Sequence, residues 1–382
     1  MPSPGSPRTP GRRGLPPALV LVPAGVSLLA GLDAALVLAG LPSPVEQAEL
    51  GNRHGMLMVL GFLGTLISLE RAVALRRPWA YLAPGLLGAG GVALALGVRQ
   101  QVGTVLFVDG LLALLGVYAA LFARQRDEAT AVEILGVVAA LVASVLWLRV
   151  AVYTLVPWLV AYIVLVIAAE RVELARLHRP KGSERTLLAL GVVVIAGAAA
   201  TLAPTAWGDR AFGGSLLALT AWTSLSDVAR RNVRRPGLPR FSGWAMLLGY
   251  AWLAAAALTW VVQGRPGSVG TYDTVVHGVF LGFAMSMVMG HAPIILPAVI
   301  RRPLPYHPVL WVPLLVLHAG LVLRVCAGDW FGVGWAWRLG IWLTLSALLL
   351  LPVLGAALVA TARPVVSARR TGRRTVVERS AS

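Results

Sequence analysis

The chain has 382 residues, of which 58% are hydrophobic and only 13% are charged. Soluble globular chains carry roughly 25% charged residues. A mean hydropathy of +0.78 spread along the whole length therefore excludes a water-soluble enzyme, a disordered chain and a disulfide scaffold, and points to a polytopic membrane protein. The single cysteine, Cys326, leaves no intrachain disulfide, no Cys-x-x-Cys redox pair and no attachment site for a c-type haem. The net charge of +17 does not imply nucleic acid, because the basic residues sit in short gaps between apolar runs and in the two tails, where they set topology.

Apolar runs of about 20 residues occur at approximately 15–40, 54–75, 80–97, 102–123, 130–147, 150–169, 186–205, 211–228, 241–262, 272–300, 308–326 and 335–361. The expected fold is an all-α, polytopic integral membrane bundle of about twelve transmembrane helices over 15–361. It is flanked by basic tails at 1–14 and 362–382 that rest against anionic lipid headgroups. The first run follows Arg12-Arg13 and opens on Pro16-Pro17. It is too long for a signal-peptide core and lacks a small-residue cleavage site, so it reads as an uncleaved helix.

Counting Lys and Arg in alternate gaps places 26 of 33 on one side, the N- and C-terminal tails included. The positive-inside bias then puts both termini in the cytoplasm and the protein in the plasma (inner) membrane, with an even number of spans. A weak echo runs through the chain. The second span ends Leu69-Glu70-Arg71, the sixth ends Ala169-Glu170-Arg171, and the tenth ends at Arg301-Arg302. This spacing fits a four-helix unit used three times, although Glu-Arg pairs are also common at inner helix ends.

Ionisable side chains inside spans are costly and mark function by default. With this topology, Asp33, His54, Asp109, Arg149, His277 and Arg324 fall in the outer third, and His318 falls near the middle of the eleventh span. His54 opens the second span as His54-Gly55 and His277 stands near the start of the tenth as His277-Gly278. The glycines let a bulky planar group approach the backbone. Asp273, one helical turn before His277, shares its face and accepts the imidazole N–H, which fixes the tautomer and strengthens the other nitrogen as a ligand. Two neutral imidazoles facing across a bundle form an axial pair for haem iron. Arg149 and Arg324, each at an outer helix end in Leu148-Arg149-Val150 and Leu323-Arg324-Val325, offer forks for two haem propionates, or else snorkel to headgroups.

The remaining histidines rank lower. His318 is a third candidate metal ligand or a satisfied core histidine. His291, fourteen residues beyond His277 and so about 21 Å deeper, cannot share an iron with it and reads as a hydrogen-bonded hinge or part of an inner site. His178 and His307 fall in cytoplasmic loops, and Met56, Met58, Met285, Met287 and Met289 read as packing.

These residues resemble the haem-copper oxidase catalytic subunits and the related NnrS-type membrane proteins. The points of likeness are twelve helices with both termini inside, His54-Gly55-Met56-Leu57-Met58 at the start of the second span, and an outer histidine on the tenth. In that superfamily the second and tenth helices supply the axial ligands of a low-spin haem, positions that His54 and His277 match, and outer arginines contact the propionates, for which Arg324 or Arg338 are counterparts. The chain departs from the pattern where the reaction centre needs histidines. Val275 stands two residues before His277, and the sixth span offers Tyr153, Pro157, Trp158 and Tyr162. The resemblance thus implies one six-coordinate haem b, without support for copper, serving electron transfer with a redox partner or a nitric-oxide- or haem-related response. It does not imply a complete oxidase or reductase.

Two other classes remain open from the residues alone. One is a small-solute or proton-coupled transporter built on Asp33, Asp109, Arg149 and Arg324. The other is a purely structural set of pairs that fixes helix register. No His-Glu-x-x-His or Gly-x-x-x-x-Gly-Lys pattern occurs, so zinc hydrolysis and phosphate-loop chemistry are not indicated.

Overall fold

The computed structural model describes residues 17–45, 48–175, 180–203 and 205–362. His178 and the basic tails at 1–14 and 363–382 lie outside the described residues. Among the described residues every regular element is helical. The long segments are α1 (Leu21–Leu38), α2 (Glu49–Leu75), α3 (Leu82–Ala95), α4 (Gln100–Arg124), α5 (Glu128–Leu146) and α6 (Val152–Leu174). They continue with α7 (Ser183–Ala200), α8 (Ala206–Ser226), α9 (Leu238–Gln263), α10 (Val269–Ile300), α11 (Pro308–Trp330) and α12 (Gly334–Thr361). Each apolar run marked out in the sequence is helical. Ten of these helices are long and apolar enough to cross a membrane. The other two are α3, only 14 residues long, and α8, whose first turn carries Asp209.

Short connections make successive helices run antiparallel, so the even-numbered helices all point the same way. The chain enters α5 through Asp127, whose carboxylate accepts from Thr130 N at 2.7 Å. It enters α10 through a reciprocal Ser268–Thr271 capping box. Both α2 and α10 stop in the same way. Arg76 (φ 56°) and Arg301 (φ 55°) adopt the left-handed conformation, and each begins an Arg-Arg-Pro sequence. Proline disfavours the helical conformation in the residue before it, and Arg77 is extended.

Burial separates a centre from a periphery. Helix α6 has 83% of its most apolar stretch buried and α2 and α10 have 72% each, whereas α7 and α12 have 28%. The three helices that carry the sequence echo are therefore the inner ones. With hydrocarbon outside, helices gain little from apolar contact alone and instead need close backbone packing. The crossing of α1, α2 and α3 is built on this. A Cβ on Gly91 would lie 2.1 Å from Ser27 Oγ and 3.0 Å from Gly61 Cα. Gly25, on the same helix as Ser27, has nothing within 4 Å of its position.

Gly91→Ala is therefore expected to lower the thermal unfolding midpoint of the solubilised protein through overpacking worth about 1–3 kcal/mol. Gly25→Ala should leave the midpoint unchanged or raise it. Equal effects from the two would remove the three-helix crossing as a determinant of stability.

Candidate functional site

His54 lies in the first turns of α2 and His277 in those of α10, so parallel helices carry both to one end of the bundle, the histidine end. His54 stands within electrostatic range of both His277 and Arg324. The Nδ1 atom of His54 is 2.8 Å from Gly31 O of α1. A carbonyl only accepts, so Nδ1 carries the proton and Nε2 keeps its lone pair. His277 Nδ1 is 2.5 Å from Asp273 Oδ1, close but not aligned as a hydrogen bond. The carboxylate still dictates the same tautomer, because a lone pair facing it at that distance would be repelled. Among the described residues neither Nε2 has a hydrogen-bond partner, and both imidazoles retain accessible surface, 15% of the side chain for His277 against 7% for Asp273.

Asp273 also receives Arg324 bidentately, from Nε and Nη2 at 2.7 Å each. Asp329 stands beside Asp273 with its Oδ2 buried and unpartnered. Asp329 further lines a cavity of about 570 Å³ at the mouth of the bundle, together with Trp337 and Arg338. The structure thus brings together His54, His277, Asp273 and Arg324 from α2, α10 and α11.

Other expected members stand apart. Arg149 is exposed in the α5–α6 connection. Asp109 is exposed on α4. Asp33 is buried but accepts from Ser43 Oγ and Val45 N at 2.8 and 3.2 Å, which organises the loop after α1. His318 has both ring nitrogens engaged, Nδ1 by Trp252 Nε1 at 3.0 Å and Nε2 by Ser286 Oγ at 3.1 Å, and is a satisfied core histidine rather than a third ligand. Arg324 gives its fork to Asp273, which leaves only Nη1 for any further anion. The glycines after the histidines do not open a cradle. A Cβ at Gly55 would meet Val152 Cγ1 at 2.8 Å, and one at Gly278 would meet Trp252 O at 3.3 Å, so they serve helix packing.

A local feature invisible to sequence patterning accompanies each of these histidines. Three π-helical stretches, Leu57–Gly64, Gly278–Met285 and Val322–Trp330, follow His54, His277 and His318 within a few residues. Such stretches are rare and cluster at functional sites, because the extra residue in the turn re-aims the side chains around it. Trp330 Nε1, at the end of the third, donates to Thr274 Oγ1 of α10 at 3.1 Å and ties that stretch to the histidine end.

A second polar centre lies at the opposite, carboxylate end, and sequence reasoning missed most of it. Arg71 of α2 is buried and meets four carboxylates: Glu133 at 3.1 Å, Glu173 at 3.6 Å, Glu70 at 3.8 Å and Glu170 at 3.9 Å. Its ring neighbour is Tyr118, at 6.0 Å. Arg171 of α6 binds Asp227 through Nε and Nη2 at 3.0 and 2.7 Å, while its Nη1 lies 2.9 Å from His291 Nε2. His291 Nδ1 is 2.8 Å from Met287 O, so His291 is hydrogen-bonded through both nitrogens and belongs to this inner network. Asp227, in the connection after α8, also accepts from Tyr250 OH at 2.8 Å and Ala229 N at 2.8 Å. Burial opposes its ionisation, but these bonds, the Arg171 fork foremost, hold its carboxyl below the usual range. The available signals were the Glu-Arg echo and Glu133, a lone carboxylate within the apolar run Ala131-Val132-Glu133-Ile134-Leu135. In sequence Arg71 and Arg171 read as charges of the gaps between spans. His307, by contrast, is exposed and merely accepts from Val309 N at a helix start.

The chain belongs to a family described as a domain of unknown function, DUF8744, whose profile matches residues 17–361. That match covers the whole helical bundle. A comparison with curated proteins returns no match.

Asp273→Asn would leave the Arg324 guanidinium without its counter-charge in a buried setting, a loss of about 3–5 kcal/mol. Denaturant unfolding of the solubilised protein should register that loss. Arg149→Ala should stay within about 0.5 kcal/mol of the parent. A null effect of Asp273→Asn would show that this ion pair does not hold α10 to α11.

Proposed function

We propose that the protein is a twelve-span inner-membrane protein with cytoplasmic termini, in which His54 and His277 hold one haem b between α2 and α10 at the outer end of the bundle. The observation that carries this reading is the pair of imidazoles within electrostatic range of each other, each with Nδ1 turned to an acceptor and Nε2 unpartnered. That is the donor set that bis-histidine axial ligation requires. Their accessible surface fits the approach of a planar group from the side. The Arg338 guanidinium at the mouth cavity and the remaining Nη1 of Arg324 supply cationic partners for propionates.

In this reading each side chain has a defined task. Gly31 O and Asp273 hold the two imidazoles in the ligating tautomer. Asp273 orients the His277 ring, and Arg324 in turn holds Asp273 in place through its bidentate fork. A six-coordinate haem supplies one-electron transfer and leaves no open position for substrate, which suits electron transfer with a redox partner or a haem- or nitric-oxide-related response. The likeness to haem-copper oxidase and NnrS-type proteins supports the same assignment through the matching helices. Copper plays no part in it.

Protein purified after expression with adequate haem supply is expected to show a Soret band and a reduced-minus-oxidised b-type spectrum. His54→Ala or His277→Ala should abolish the bis-histidine spectrum, and His307→Ala should retain it. A colourless preparation that folds normally would refute the proposal. Proton-coupled solute uptake by such a preparation would favour the transporter reading, for which the buried charge network at the carboxylate end is the supporting observation.

A further inference from the structure

Eight buried side-chain atoms lack a hydrogen-bond partner among the described residues, and four of them stand together: Arg71 Nε, Glu133 Oε1, Tyr118 Oη and Tyr162 Oη. They come from α2, α5, α4 and α6. Arg71 Nη2 is 3.1 Å from Glu133 Oε1 without an aligned hydrogen bond. The Arg71 guanidinium carbon is 6.0 Å from the centre of the Tyr118 ring. Tyr118 in turn lies within electrostatic range of Glu133 and Tyr162. The two tyrosines have no exposed surface, and Glu133 and Arg71 retain only 2% and 7%. The Tyr162 hydroxyl is turned towards α2, since a Cβ on Gly64 would lie 3.6 Å from it.

Leaving a buried donor or acceptor unpaired costs its full desolvation, so native interiors pair nearly all of them. Four unpaired atoms from four helices in one place therefore call for a shared occupant. Its chemistry follows from theirs. Arg71 Nε can only donate, Glu133 Oε1 beside a guanidinium accepts, and the hydroxyls do both. A cation offers nothing to Arg71 Nε, an anion offers nothing to Glu133 Oε1, and an apolar molecule leaves all four unpaired. Water donates and accepts at once, and buried water makes roughly three hydrogen bonds to groups of this kind.

Tyr162 stands twelve residues before the end of α6 at Leu174, about 18 Å along the helix axis. The group thus reaches from the carboxylate end to the middle of the most enclosed helix. Glu173, with 47% of its side chain exposed, lies 3.6 Å from Arg71 Nη1 and joins the group to the surface.

We propose that Arg71, Glu133, Tyr118 and Tyr162 enclose an internal water site. The water bridges Arg71 Nε and Glu133 Oε1 to the Tyr118 hydroxyl and continues to that of Tyr162, a hydrogen-bonded chain across four helices.

Hydroxyl-radical labelling of the purified full-length protein in detergent tests this, because X-ray pulses generate radicals from internal water and mass spectrometry reads the oxygen added to neighbouring rings. Tyr118 and Tyr162 should be labelled several times more than Phe107 and Phe212, which are just as enclosed and carry no polar side-chain atom. Labelling of either tyrosine at the level of the phenylalanines would overturn the proposal. Stability gives a second readout. Removing an orphaned hydroxyl relieves a desolvation cost, so without bridging water Tyr118→Phe and Tyr162→Phe would raise the thermal midpoint. With it, each should lower the midpoint, and the double variant should lose less than the sum of the two, because both hydroxyls share one cluster. Raised midpoints or strictly additive losses would count against the site. Labelling uses the parent chain, so it remains decisive if a variant fails to fold. Neither measurement requires haem, and the outcome is independent of the histidine pair.

Discussion

A guanidinium cannot be left in hydrocarbon without an acceptor, and the helix arrangement follows from how four arginines meet that requirement. Arg53 of α2 reaches Leu94 O at the end of α3 at 3.0 Å. Arg71, further along α2, reaches Glu133 of α5 and two carboxylates of α6. Arg171 of α6 ties Asp227 and His291 of α10 into one network. Arg324 of α11 clasps Asp273 of α10. Each bond crosses between helices, so each fixes a rotation about a helix axis that apolar packing in lipid leaves loosely determined. The rotations of α2, α6 and α10 then decide which side chains face the centre.

Within that frame one carboxylate governs the histidine end. Asp273 compensates Arg324 and at the same time dictates which nitrogen of His277 carries the proton. Placing a single acceptor between a permanent cation and an imidazole couples the position of α11 to the electronic state of the α10 histidine. His54 obtains the same tautomer by a different route, from the Gly31 carbonyl of α1.

The two ends of the bundle differ in kind. At the histidine end the described polar groups left without hydrogen-bond partners are His277 Nδ1, one oxygen each of Asp33 and Asp329, and the Nε2 atoms of the two imidazoles. At the carboxylate end Arg71 meets four described carboxylates, beside an apolar slot. On α6, the most enclosed of the spans, Trp158 Nε1 and Tyr162 OH are buried without partners among the described residues.

The sequence by itself determined the helical membrane class and the positions of the twelve helical segments, and with them the placing of His54 and His277 in the first turns of α2 and α10, because apolar run length is a property of single segments. It also held the Asp273–His277 pairing, a contact within one turn of helix. It did not contain the removal of Arg149 from the site, the engagement of both His318 nitrogens, the filling of the glycine spaces by Val152 and Trp252, or the burial of Arg71, Glu133 and Arg171 in one network. Those depend on helix rotation and on partners on other helices, as far apart in the chain as Arg171 and His291 at a separation of 120. Only the tertiary structure decides which of several equally spaced polar residues turns inward, because a membrane helix reads alike in sequence from every side until its neighbours take up the charges.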